Sequence, residues 1–188
     1  MSPTFPGLAL TCADTAKHAP AQAWSARARH RARSSVRLDS AAMAVNTDVI
    51  GKTYPTTLYA VGREKIKEYA SAVGEHNPIH LDHEAARAAG FADVVAPPMF
   101  AVVYSQASVV PGLFDPEVGI DFAHMVHGSQ EFRWGPLVVA GDEITTAATL
   151  ADVSERGGMG FYVFTTESRN QDGETVCVGT WTNIVRAE

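Results

Sequence analysis

Between Pro97-Pro98 and Pro111-Gly112 runs Met99-Phe-Ala-Val-Val-Tyr-Ser-Gln-Ala-Ser-Val-Val110, a segment apolar almost all round. A helix with no polar face must be buried on most sides. Prolines suit the start of such a helix, where no intrahelical N–H is needed, and Pro111-Gly112 is expected to end it. The flanking segments say what can surround it. From Met125 onward the texture is that of strands: Val126–Trp134 alternates, Gly141-Asp142 turns the chain, and Ile144–Val153 alternates again. Phe161–Asn170 and Thr175–Val185 flank Gln171-Asp-Gly-Glu174, and Asp-Gly between two β-rich runs predicts a hairpin. Upstream, residues 48–55 read as an irregular lead-in and 57–61 as a short strand. Arg63–Val73 reads as a helix, with Ile66, Tyr69, Ala70 and Val73 on one face and Gly74 as its stop. A shorter helix fits Asp82–Ala89, closed by Gly90. An antiparallel sheet wrapped around one long apolar helix is the economical way to bury both, which makes the class α+β.

The chain has 188 residues and no apolar run of 18, so one globular domain without a membrane span is expected. Cys12 and Cys177 suggest neither a disulfide framework nor a zinc site, which fits a reducing, cytoplasmic setting. The net charge of −6 argues against a generic nucleic-acid binder. That charge is divided unevenly. Residues 1–42 hold six basic and two acidic residues, leaving nine basic and nineteen acidic, a net −10, for the remainder. The first 42 residues are rich in Ala, Ser and Pro and have no sustained apolar period. They are expected to be a disordered extension ahead of a natural start at Met43, with the functional domain spanning 43–188. A transit peptide or a basic tail for an acidic partner are the alternatives.

Glu75 and His80 lie five residues apart in a stretch that Asn77-Pro78 forces out of helix. Such a loop can point an acid and an imidazole into one space, a minimal set for adding or removing water next to a thioester carbonyl. His76, His80 and His83 invite a metal reading. Pro78 breaks the helix that would align them and no second ligand cluster stands out, so no metal is expected. Gly157-Gly158-Met159-Gly160 precedes a strand, not a helix, and reads as a connection instead of a phosphate loop.

The stretch Val-Gly-Glu-His-Asn-Pro-Ile-His-Leu-Asp at 73–82 resembles the hydratase motif of MaoC-like dehydratases, Asp-x-Asn-Pro-hydrophobic-His followed shortly by Asp. Further blocks carry the likeness from about Ile50 to Arg186. They are Gly-Lys-Thr-Tyr-Pro at 51–55, Val-Gly-Arg-Glu-Lys-Ile-Lys-Glu-Tyr-Ala at 61–70, Val-Val-Ala-Pro-Pro-Met-Phe at 94–100, Val-His-Gly-Ser-Gln-Glu-Phe at 126–132 and Val-Ala-Gly-Asp at 139–142. In order, they are similar to the N-terminal-type MaoC dehydratases of actinobacteria, relatives of the mycolic-acid hydroxyacyl-ACP dehydratase subunits. The resemblance implies a hot-dog fold, homodimeric or paired with another hot-dog subunit, acting without a cofactor on acyl-CoA or acyl-ACP in fatty-acid metabolism. It implies reversible dehydration of (3R)-hydroxyacyl thioesters to trans-2-enoyl thioesters. Glu75 then stands where the family has its catalytic Asp, His80 is the catalytic His, and Asn77 orients the loop.

Two departures from the family pattern matter. Glu75 is one methylene longer than Asp. Pro97-Pro98 replaces the usual His-Gly, so the oxyanion donor at the helix start must be the N–H of Met99 or Phe100, with Met99 favoured. Ser105 can assist a bound water or bond its own helix backbone. His127 and Gln130 are either acyl-tunnel lining or structural, and Tyr104, Met125 and Phe132 either tunnel or core. Two rival functions follow: a non-catalytic, channel-forming subunit of a heterodimeric dehydratase, and an acyl-thioesterase. The thioesterase needs a carboxylate on the central helix, and Met99–Val110 has none.

Overall fold

The structure, a computed structural model, describes residues 44–186; the expected N-terminal extension and its boundary at Met43 lie outside the described residues. Strand β1 (Thr53–Ala60) begins earlier than its alternation predicts and takes in Pro55. Proline has no N–H for a ladder and belongs at sheet edges and bulges. Pro55 has both conditions: β1 is an edge strand, and its register against the next strand slips between Tyr54 and Thr57. Helix α1 (Arg63–Ala72) buries Ile66 and Ala70. Val73, expected to extend that face, is the C-cap residue and is exposed. Helix α2 (His83–Ala88) follows, capped by the Asp82 carboxylate on the Ala85 N–H at 2.7 Å.

A 3-10 turn at Pro98–Phe100 leads into the central helix α3 (Ala101–Leu113). The chain then runs through β2 (Met125–Trp134), β3 (Glu143–Arg156), β4 (Met159–Arg169) and β5 (Thr175–Arg186). The five strands are antiparallel in the order β1-β3-β4-β5-β2, and α3 lies across β1, β3 and β4. This is the hot-dog arrangement, a sheet curled around one helix. Gly157 and Gly158, both at positive φ, form a two-residue turn between β3 and β4. Gly173 at φ +80° closes the Asp-Gly hairpin between β4 and β5.

One expectation about α3 needs correction. Pro111-Gly112 does not end it; both lie inside the helix. Pro111 falls on the exposed side of the helix, as does Ala107, whose carbonyl loses its partner there. Gly112 is buried where a Cβ would overlap the Phe164 ring, so the helix approaches the sheet closely here. The helix is covered on most sides, as expected, with one face left open. Ala101, Tyr104, Ser105, Ser108 and Val109 are buried, whereas Gln106, Ala107 and Val110 are exposed. Phe100, wholly buried, anchors the helix start by edge-on packing against Tyr69 at 5.4 Å and Tyr59 at 6.2 Å.

Candidate active site

The loop carrying Glu75 and His80 is built from both ends. At the end of α1, Gly74 (φ +71°) turns the chain left-handed; its N–H bonds the Ser71 carbonyl and the Glu75 N–H reaches back to Ala70 at 2.8 Å. These paired bonds are the Schellman ending of a helix, a conformation open to glycine at little cost. They hold the Glu75 backbone while its Oε1 accepts the Asn77 N–H at 2.9 Å. That hydrogen bond above all lowers the pKa of the Glu75 carboxyl, with the His76 N–H and the nearby His80 and His76 imidazoles acting in the same sense. Asn77, extended ahead of Pro78, caps the 3-10 turn Pro78–His80 by accepting the Ile79 N–H at 3.3 Å.

His80 is 6% exposed. Its Nδ1 lies 2.7 Å from the Val95 carbonyl, and a carbonyl only accepts, so Nδ1 is the donor and Nε2 is the nitrogen left to exchange a proton. The same segment returns the contact: the Val95 N–H donates to the Ile79 carbonyl at 2.9 Å. Val95 is held in turn by its bridge to Val139 and by the Ala96 N–H on the Val138 carbonyl. The imidazole is thereby oriented through backbone alone.

The three histidines of the metal reading go separate ways. His83 Nδ1 faces Asp93 at 3.1 Å, and Asp93 also takes a forked pair from Arg63, which holds its carboxyl well below the usual range. His76 is exposed. Among the described residues, no three His, Cys, Asp or Glu side chains gather as metal ligands.

At the start of α3 the Phe100 N–H is spent on the Pro97 carbonyl at 2.8 Å, whereas the Met99 N–H has no such bond among the described residues. The Trp134 indole N–H donates to the Pro98 carbonyl at 2.8 Å and pins this turn to the end of β2. Ser105 is buried with its hydroxyl donating to the Ala101 carbonyl, the backbone alternative for that residue. Two cavities flank α3. One, of about 360 Å³, is apolar and bounded by Ala96, Pro97, Tyr104, Trp134 and Leu137. The other, of about 440 Å³, lies between α3 and strands β2 and β5, with Met99 and Leu113 from the helix side and Gln130 and Asn183 from the sheet. Met125 and His127 line this second cavity too, Tyr104 lines the first, and Phe132 is core. Glu75 and His80 line neither. Ala96, next to the Val95 that holds His80, lines the first, and Met99 lines the second.

Comparison with known proteins bears on this arrangement. Residues 48–178 match the model of a family described as FAS1-like, dehydratase domain region. A UPF0336 protein of Saccharopolyspora erythraea is 41% identical over 145 residues, 77% of this chain and 93% of that protein. Among solved structures, a MaoC-like dehydratase superposes with a TM-score of 0.68 at 29% identity, covering 74% of this chain and 42% of that one. The C-terminally truncated HadBC (3R)-hydroxyacyl-ACP dehydratase complex of Mycobacterium tuberculosis gives 0.64 at 30% identity, covering 73% and 98%. The chain belongs to this MaoC-like, hot-dog dehydratase family. For a member of the MaoC-like dehydratases, the positions that sequence reasoning missed are Val95, which orients the imidazole, and Trp134, which braces the helix start. Both act across the fold, at separations of 15 and 36 residues, and neither has a local signal.

Proposed function

We propose that the protein interconverts (3R)-hydroxyacyl and trans-2-enoyl thioesters, carried on CoA or acyl carrier protein, without a cofactor. The observation that carries this reading is the His80 hydrogen bond: Nδ1 is committed to the Val95 carbonyl, which leaves Nε2 to exchange the proton. In dehydration, His80 Nε2 takes the α-proton. The C–H electron pair becomes the Cα–Cβ double bond, the Cβ–O bond breaks, and the hydroxyl leaves as water with a proton from Glu75. In hydration the Glu75 carboxylate takes a proton from water and the imidazolium returns one to Cα. The Met99 N–H, uncommitted at a helix start, is the donor for the thioester oxygen as negative charge grows there. Asn77 holds the loop and does not react, and Ser105 is assigned no chemical step.

The test is hydration of crotonyl-CoA by purified protein, followed as loss of enoyl absorbance. The His80→Ala variant is expected to lose at least about a hundredfold in kcat, the usual worth of a positioned acid or base; equal rates would remove His80 from the mechanism.

A second reading has its own support. The exposed apolar side of α3 and the open edge of β2 suit a second hot-dog subunit, either another copy or a different chain, in a reducing cytoplasm. The HadBC complex is itself two different subunits. In that reading this chain lends its cavities to a partner's catalytic pair, and activity appears only on co-expression. A thioesterase reading lacks the carboxylate it needs: α3, Ala101–Leu113, has neither Asp nor Glu.

A further inference from the structure

The carbonyl that orients His80 belongs to a short segment, residues 93–96, held by backbone along most of its length. The Val94 carbonyl accepts the Ala140 N–H at 3.0 Å, and the Val95 N–H donates to Ile79 at 2.9 Å. Across the next peptide the Ala96 N–H bonds the Val138 carbonyl at 2.8 Å. In a trans peptide the carbonyl points the opposite way, here toward His80 Nδ1. The start of the segment has a different anchor. The Asp93 carboxylate accepts the Val94 N–H at 2.7 Å, Arg63 Nε at 2.9 Å and His83 Nδ1 at 3.1 Å. Arg63 opens α1 and His83 opens α2, so the helices on either side of the loop that carries Glu75 and His80 meet on one carboxylate. That side chain is 18% exposed, and bonds to an ionised group are stronger than neutral ones.

We propose that Asp93 is a positioning residue: by gathering Arg63, His83 and the Val94 N–H it sets where the Val95 carbonyl stands, and through that carbonyl where His80 Nε2 points. The inference deepens the catalytic reading above and rests on it for what the imidazole does. Its signature belongs to the chemical step. A displaced imidazole lowers kcat and leaves KM in place, because the interaction lost is one made only in the transition state. Misplacement by about 1 Å can cost on the order of a hundredfold in rate. His83 enters as a hydrogen-bond donor, and an asparagine amide can donate in its place.

The experiment reads His80 twice, by crotonyl-CoA hydration and by proton NMR. The Nδ1–H of His80, buried against a carbonyl, exchanges slowly with water and gives a low-field resonance that His80→Ala removes. Asp93→Ala is expected to shift or broaden that resonance and to lower kcat at least about tenfold at unchanged KM. His83→Ala should do the same to a smaller degree, and His83→Asn should restore both readouts. Arg63→Gln, at the exposed end of the cluster, serves if Asp93→Ala does not fold, and it too should shift the resonance. Lys52→Met breaks the ion pairs with Asp115 and Glu117, controls for lost stability alone, and is expected to move neither readout. A wild-type resonance in Asp93→Ala, or in both Arg63→Gln and His83→Ala, would overturn the proposal. So would a loss of kcat in Lys52→Met equal to that in Asp93→Ala. A resonance that follows Asp93 in a protein without hydration keeps the positioning role and removes the catalytic one. Hydration that needs His80 but not Asp93 does the reverse.

Discussion

The lowered pKa of Glu75 has a consequence for how the pair works. A carboxylate bonded to the Asn77 N–H rests ionised, and the proposed reaction needs one proton shared between Glu75 and His80 in either direction. Hydration and dehydration should therefore show the same pH profile in kcat/KM. Its acid limb, set by Glu75, should fall below the ordinary glutamate value of 4.5, and Glu75→Gln should abolish that limb together with about a hundredfold of the rate. The sign for stability follows from the same shift. A carboxyl whose pKa is lower in the folded state adds stability above its unfolded pKa and loses it as pH falls through the folded one. Urea titrations should thus separate wild type from Glu75→Gln at neutral pH and bring them together in acid. The non-helical loop that carries both residues was legible in the sequence, because Asn77-Pro78 dictates it locally. The hydrogen bond that orients His80 was not, since it depends on a carbonyl 15 residues away.

At the scale of elements, two glycines have work that no other residue can do as well. Gly74 sits at φ +71°, where alanine is strained by about 1 kcal/mol. Gly74→Ala should lower stability by that amount in urea and loosen the Glu75 end of the site, seen as a larger fall in kcat than in thermal midpoint. Gly112 is different: its backbone is helical, and the obstacle is the Phe164 ring beneath it. Gly112→Ala should cost about 1–3 kcal/mol by overpacking. Gly74 announced itself as a helix stop. Gly112 was misread as one, because Pro-Gly is a local signal and the ring that explains the glycine arrives from β4.

For the whole molecule the open question is what covers the uncovered side of α3. Met99, Val110 and Val126 are 48, 38 and 44% exposed, and β2 is an unpaired sheet edge. Sedimentation of the pure protein should give about twice the mass of one chain, and Val110→Asp should return it to one; a wild-type monomer would direct the search to a different hot-dog subunit. None of the described helices is long and apolar enough to cross a membrane. By itself the sequence determined the alternation of strands, the apolar central helix and the non-helical loop that carries Glu75 and His80. All of these are written in residue periodicity and in the backbone limits of proline and glycine, which act within a few residues. Only the tertiary structure decided which strand lies at which edge, that Pro55 and Pro111 are tolerated because they face water, which helix-start N–H is free, and that Asn183 and Gln130 share a cavity. Those depend on contacts between segments far apart in the chain, where hydrogen bonds and volume are allotted by packing and not by local preference.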